Sequence, residues 1–288
     1  MTQAPINSGS IGVVGAGRLG SSLSLALLHA GYAVTAVSSS SRGTARALAE
    51  RLPGARAVDV ETLVETSELV LLTVPDDALR KLADRLPWRR GQQVVHCSGA
   101  HSLDVLVSAA NADALCGCLH PLQSFPERFC DPLRFSGISC GVEAQGPLLD
   151  RLVRMCGDFG AGVIPLAGIN RAAYHAAAVF ASGYVIALHA AAAQAWTLAG
   201  LPPEQAQRAL GPLTLSAAQN VQRLPLEAAL TGPVARADID TVVRHTQALA
   251  KAPELLALYR TLGMQLLALP LALNAEQRAA LLALLERR

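Results

Sequence analysis

The sharpest chemical signal in the sequence is Gly15-Ala16-Gly17-Arg18-Leu19-Gly20, a G-x-G-x-x-G between an apolar run and an amphipathic helical pattern. Each glycine has a task in a dinucleotide site. Gly15 permits a tight turn, Gly17 lets the backbone approach a pyrophosphate, and Gly20 lets helix and strand pack closely. The N–H groups that open the helix, from Arg18 and Leu19 onward, attract the anion. Glycine-rich turns of this kind also arise for packing alone. Here the preceding strand, the following helix and a second strand at the expected distance favour the nucleotide. An NAD site would place an acidic residue near the end of that second strand. Instead the chain reads Val37-Ser38-Ser39-Ser40-Ser41-Arg42. Ser39 and Ser40 supply hydroxyl donors and Arg42 a guanidinium that can pair with a 2′-phosphate, so NADP is the expected cofactor. The plainer alternative is a polar turn with Arg42 in water.

Ligands of parallel sheets lie outside the carboxyl ends of the strands. That rule brings three more loops toward the cofactor: Thr73-Val74-Pro75-Asp76-Asp77, His96-Cys97-Ser98-Gly99-Ala100 and His120-Pro121-Leu122-Gln123-Ser124. Val74, Pro75 and Ser98 are expected beside the nucleotide. Ser98 and Gly99 precede a helical pattern whose start could hold a substrate carboxylate, the alternative being a simple cap at Ser102. His120 is either a strand-end histidine bonded to backbone or a catalytic group.

The elements that must position these residues follow from periodicity. Short apolar runs at 11–15, 33–37, 69–74, 93–97, 115–119, 138–142 and 162–165 alternate with helical patterns at 19–30, 44–52, 60–66, 78–86, 103–109 and 148–159. This predicts an α/β fold, a Rossmann-type, mainly parallel sheet. After Asn170 the alternation stops, and helices follow one another with breaks at Pro202-Pro203, Gly211-Pro212, Leu224-Pro225 and Gly232-Pro233. The expected division is a nucleotide-binding domain over 1–166 and an all-helical domain over 167–288.

Composition narrows the function further. The 288 residues are 51% hydrophobic and 16% charged with a net charge of +2, which fits a folded chain and offers no basic stripe for nucleic acid. Lysine occurs only at Lys81 and Lys251. The six cysteines follow neither zinc nor redox spacing and are read as free thiols, with no metal site. The first residues lack a secretory pattern, and a cytoplasmic location is expected. Residues 172–203 contain no Asp, Glu, Lys or Arg. Their many alanines, with His175, Ser182, His189 and Gln194 among them, point to a bundle helix rather than a membrane span.

The chain resembles the Rossmann-like NADP-binding proteins whose helical C-terminal domain is like that of 6-phosphogluconate dehydrogenase. Within them it is most similar to the group with a C-terminal domain of unknown function that includes alternative ketopantoate reductases. The likeness spans nearly the whole chain. It rests on Gly15 to Gly20, Val74-Pro75-Asp76-Asp77, Cys97-Ser98-Gly99-Ala100, His120 to Pro126, Tyr174 to Ser182 and Leu230 to Arg236.

This resemblance implies an NADP-dependent reductase of a small carbonyl or imine compound, dimeric through the helical domain; Ser98, Gly99 and Gln123 are the candidate substrate contacts. Where the wider superfamily has a lysine and, one turn on, an asparagine, this chain has Arg171 and His175. At i and i+4 the two share a helix face. Arginine can bind a carboxylate but is a poor acid, so His175 is the expected proton donor, with His120 the second candidate. Arg236 is a candidate anion contact, in its own or a neighbouring subunit. Gly183 stands where the closer group often has asparagine. Two alternatives remain open at this level: hydride exchange between NADP and a deazaflavin, and an NADP-sensing protein without catalysis.

Overall fold

The computed structural model describes residues 9–286. Strands β1 (Ile11–Val14), β2 (Val34–Ser38), β3 (Arg56–Ala57), β4 (Leu69–Leu72), β5 (Gln93–His96), β6 (Leu115–Pro121), β7 (Ser139–Glu143) and β8 (Gly162–Pro165) form one sheet in the order β3-β2-β1-β4-β5-β6-β7-β8. Strands β3 to β6 in that order are parallel, as the alternating pattern predicts. Strand β7 turns antiparallel to β6, and β8 runs parallel to β7. The two-residue β3 escapes sequence reading because both of its side chains are exposed and carry no apolar alternation.

Helices α1 (Arg18–His29), α2 (Arg42–Ala49), α3 (Val60–Thr66), α4 (Asp76–Ala83), α5 (Val107–Asn111) and α6 (Gly146–Asp158) cover both faces, with short 3₁₀ turns at Leu103–Leu106 and Pro132–Phe135. The side-chain period of two in a strand divides the core. Leu69 and Leu71 face Leu23 and Leu27 of α1, Leu48 of α2 and Leu152 of α6. Val70 and Leu72 face Leu63 of α3, Leu79 of α4 and Ala109 of α5. Both sheet faces are therefore sealed, and the carboxyl ends of the parallel strands are what remains available for chemistry.

Helix α7 (Arg171–Ala181) follows β8. The chain separates into two compact units, the first running to Phe180 and the second beginning at Ala181. The first unit thus extends past the expected cut at 166/167, because Arg171 and Tyr174 of α7 are bonded to residues of the sheet.

The second unit is all-helical: α8 (Gly183–Leu198), α9 (Pro203–Arg223), α10 (Leu226–Ala229), α11 (Ile239–Leu249), α12 (Pro253–Leu267) and α13 (Ala275–Leu285). Val242, Leu267, Leu281 and Leu285 make its core. Pro202 and Pro203 open α9, where a missing N–H costs nothing. Gly211-Pro212, read from sequence as a break, lies inside α9 instead. A proline there removes one helical hydrogen bond, but the helix continues because its length packs along α8.

The expectation of a buried bundle helix at 172–203 also needs correction. The stretch Arg171–Leu198 has a mean hydropathy of 1.7, is long and apolar enough to cross a membrane, and its apolar window is not buried in the single chain. Ile186 is 73% exposed on α8, and Leu213 is 67% exposed on α9.

Candidate active site

The glycine turn is built as the sequence requires. Gly15 has φ +107°, and a Cβ placed there would lie 2.8 Å from the Thr73 backbone. A Cβ at Gly20 would lie 1.9 Å from the Gly15 carbonyl oxygen. Gly17, the N-cap of α1, has nothing within 4 Å of a Cβ position, and no side chain caps the helix. Space and uncapped N–H groups therefore coincide where an anion would sit. The turn is tied to its neighbours: Gly15 N–H donates to the Ser38 carbonyl at 2.8 Å, and Thr73 Oγ1 donates to the Gly15 carbonyl at 2.7 Å.

From this turn opens a cleft of about 1000 Å³ that includes Gly15, Gly17, Ser39, Ser40, Arg42, Val74 and Pro75 in its lining. Arg42 is the first residue of α2, whose N-cap is Ser41. Arg46, one turn further on α2, and Arg85 reach the same cleft, although sequence reading singled out neither. The i, i+4 spacing from Arg42 is the signal that could have found Arg46. The acidic residues at this end are Asp59 and Glu61. Hydrogen bonds from Thr62 hold the Asp59 carboxyl below its usual range, and Arg42 adds to the effect. Arg18, Leu19, Ser98 and Gly99 do not line this cleft.

A second cluster stands at the carboxyl ends of β5 and β6. His120 lies within β6 rather than in the loop that follows it. Its Nδ1 is 2.9 Å from the Tyr174 hydroxyl, and its ring centroid is 6.3 Å from that of His175. Gly99 makes room for it, since a Cβ there would meet three ring atoms at 2.6 to 2.9 Å. Gly141 does the same for Tyr174, whose hydroxyl would be 2.6 Å from a Cβ. Burial, reinforced by His175 and Arg171 and opposed by Asp76, lowers the His120 pKa to about 4. Burial raises the Tyr174 pKa to about 12. Near neutrality His120 is uncharged and Tyr174 protonated.

Arg171 is 7% exposed and pairs through Nη2 with Glu143 Oε2 at 3.2 Å. Among the described residues its buried Nε and Nη1 have no hydrogen-bond partner. The anion clamp expected from sequence therefore already holds a carboxylate of its own chain, while two of its nitrogens remain unsatisfied. Ser98 directs its hydroxyl to the N–H groups of Ala100 and His101, both at 3.2 Å. The next turn is capped by Ser102. Buried His96 accepts from the Ser98 N–H through Nδ1, and burial together with Arg171 lowers its pKa to about 3. Gln123 bonds within its own loop, to the Arg134 carbonyl and the Ser124 N–H. Arg236 lies exposed in the second unit, near Asp238. All six cysteines are free, and burial pushes Cys116 and Cys118 up to about 11, so neither supplies a thiolate. Among the described residues there is no metal-ligating cluster.

Residues 2–121 match the model of a Rossmann-like domain, and residues 138–266 that of a domain of unknown function, DUF2520. No curated protein matches the chain. Among solved structures, it is similar to a Bacteroides fragilis protein assigned as an NADP oxidoreductase, with 25% identity over 90% of this chain and 97% of that one and a TM-score of 0.69. Protein TM1727 of Thermotoga maritima is 28% identical over 89% and 96% of the two chains, with a TM-score of 0.68. The reductive aminase of Aspergillus terreus, solved with NADPH and ethyl-5-oxohexanoate, shares the fold at 15% identity, 97% and 93% coverage and a TM-score of 0.60.

The glycine geometry separates two roles. Gly20→Ala should lose about 1–3 kcal/mol of stability through backbone overlap, whereas Gly17→Ala should change it by less than about 0.5 kcal/mol. Urea unfolding of both variants measures the difference.

A second expectation concerns acid. Because the folded state lowers the pKa of His96 and His120, their contribution to stability is complete above the unfolded value of about 6.5. It is lost progressively as pH falls below about 6.5, because the unfolded state then binds the extra protons, and the loss is complete near about 4 for His120 and about 3 for His96. Urea midpoints measured from about pH 7.5 down to about pH 4.5 should fall by an equivalent of roughly 2–4 kcal/mol, and less in His120→Gln.

Proposed function

We propose that this chain, built from a Rossmann-like domain followed by a DUF2520 domain, is an NADP(H)-dependent oxidoreductase that reduces a small carbonyl compound, with 2-oxo acids such as ketopantoate the first substrates to consider. The observation that carries this reading is the cleft joining the open Gly17 turn to Arg42 and Arg46. Its chemistry fits NADP. The uncapped start of α1 suits the pyrophosphate, and the two guanidinium groups with Ser39 and Ser40 suit a 2′-phosphate. The assignment of the Bacteroides fragilis protein as an NADP oxidoreductase lends support.

The adenosine end of the cleft lies on the β2 and β3 side of β1, which directs the nicotinamide half toward β4, β5 and β6. His120 is felt electrostatically by Asp76 at the start of α4, immediately after the cleft-lining Val74 and Pro75. When bound, NADPH supplies a hydride, and the substrate carbonyl becomes an alcohol. The chain must then stabilise the growing charge on oxygen and deliver one proton. We assign the proton to His175 and the polarising contact to His120. The unsatisfied Nε and Nη1 of Arg171 suit the carboxylate of a 2-oxo acid, although its Glu143 pair also suits the alternative of an NADP-binding protein without turnover. Gly99 is read as admitting the His120 ring to the substrate site, since the ring fills the space a Cβ would take. The exposed apolar faces of α8 and α9 are read as covered by a second copy of the chain, and light scattering at twice the 30.0 kDa chain mass checks this.

The decisive assay titrates NADP and NAD and then follows NADPH oxidation across a panel of 2-oxo acids, imines and deazaflavins. Arg42→Ala should weaken NADP by about tenfold or more and leave NAD nearly unchanged, as loss of a charge-assisted bond implies. His175→Ala should lower kcat by about 10²-fold with little effect on NADPH affinity. Tight nucleotide binding without turnover of any compound replaces the enzyme reading with the binding-protein one.

A further inference from the structure

Tyr174 was not among the residues that sequence reasoning selected, yet it makes the one side-chain hydrogen bond that His120 has among the described residues. A bond between a phenol and an imidazole nitrogen can run in either direction. The surroundings decide it. The Tyr174 hydroxyl has no other acceptor among the described residues, so a proton on Nδ1 would leave the phenolic O–H without a partner in a half-buried position. An unpaired donor in such a position is unfavourable. With Nδ1 bare, the phenol donates, the bond is satisfied, and the single ring proton of a neutral imidazole resides on Nε2.

The ring cannot readily turn away from this arrangement. Gly99 lies against the ring face over Cε1, Nε2 and Nδ1, and Gly141 admits the tyrosine hydroxyl only because it lacks a Cβ. The charged and titratable groups facing His120 are Arg171, Tyr174 and His175 of α7, Asp76 of α4, and His96 of β5. Three of these are cationic or can become so, and burial acts in the same direction, which keeps the imidazole neutral. Among the described residues its Nε2 has no hydrogen-bond partner.

We propose that Tyr174 is a positioning residue that holds His120 in the Nε2–H tautomer, and that this fixed donor makes a carbonyl oxygen, rather than a protonated imine, the group reduced at this site. The substrate half of the proposal rests on the reductase reading above. A carbonyl oxygen has lone pairs to accept from Nε2–H, whereas a protonated imine nitrogen has none and would set two N–H donors against each other. In the reduction, the carbonyl carbon gains the hydride with its electron pair, and the C=O π pair moves to oxygen. The oxygen takes a proton from His175, giving an alcohol and NADP⁺. His120 keeps its proton throughout, and His175 regains one from solvent.

The test reads the tautomer directly in the full chain, without nucleotide or substrate, by long-range ¹H–¹⁵N correlation of the histidine rings, with His120 assigned from His120→Gln. Near pH 7 the wild-type spectrum should show the Nε2–H pattern for His120, and Tyr174→Phe should convert it to a mixture of tautomers. An Nδ1–H pattern in the wild type, or a pattern unmoved in Tyr174→Phe, overturns the positioning role. The wild-type spectrum alone decides the first point if the variant does not fold. In turnover, Tyr174→Phe should lower kcat for 2-oxo acids by about tenfold with KM for NADPH unchanged, and should add no further loss in a His120→Gln background. Additive losses count against the pair acting as a unit. Reduction of cyclic imines with none of any 2-oxo acid overturns the choice of substrate class. A failed panel of both removes the reductase reading while leaving the tautomer result to stand or fall separately.

Discussion

The contact between Gly20 and the carbonyl of Gly15 governs the rest of the first unit. A Cβ would approach that oxygen to 1.9 Å, so α1 can reach its observed place against β1 only with glycine at residue 20. That placement sets the start of α1 at the carboxyl end of β1, beside Thr73 of the β4 loop and Ser38 of β2. It also carries Leu23 and Leu27 into the core shared with α2 and α6. The same close approach that secures packing leaves Gly17 uncovered, and the uncovered turn is where the cleft begins. One backbone geometry thus secures packing through Gly15 and Gly20 and leaves the Gly17 turn open for the proposed nucleotide.

A second set of close approaches organises the other end of the strand edge. Gly99 and Gly141 make room for His120 and Tyr174, and the Arg171 to Glu143 pair anchors α7 to β7. Burying an arginine whose Nε and Nη1 lack partners is unfavourable, and breaking its pair would leave Glu143 as an uncompensated charge. The positive field of Arg171 acts on both His96 and His120 and helps to keep them neutral. A neutral imidazole at the carboxyl edge of a sheet is suited to donate a hydrogen bond to developing oxyanion charge, while a separate group supplies the proton.

Much of this was readable from residue order. Strong apolar runs such as Leu69 to Leu72 mark their strands, and the glycine spacing marks the turn. The serine run with Arg42 pointed to the arginine-lined end of the cleft. Other features were hidden because they depend on contacts between residues distant in sequence. Nothing local shows that β7 runs antiparallel, that Glu143 meets Arg171, or that the Ser98 hydroxyl turns back to cap its own loop. Tyr174 is a different case. It stands at i+3 from Arg171, on the helix face already chosen for His175, and the spacing argument applies to it equally. It falls within the run Tyr174 to Ser182 that carries the resemblance, but nothing local gives it a role apart from that run. Pro212 misled in the opposite sense, since a proline within a long helix remains compatible with it when neighbouring packing holds the chain.

In the proposed complex one nucleotide lies along the carboxyl ends of the strands, from Arg42 past Gly17 toward His120. A crystal structure of the full chain with NADPH tests it most directly. The 2′-phosphate should lie within hydrogen-bond distance of Arg42 or Arg46, the pyrophosphate on the N–H groups at Gly17 and Arg18, and the nicotinamide ring on the His120 side of β4. A nucleotide bound elsewhere, or one whose nicotinamide points away from β4 to β6, would contradict it.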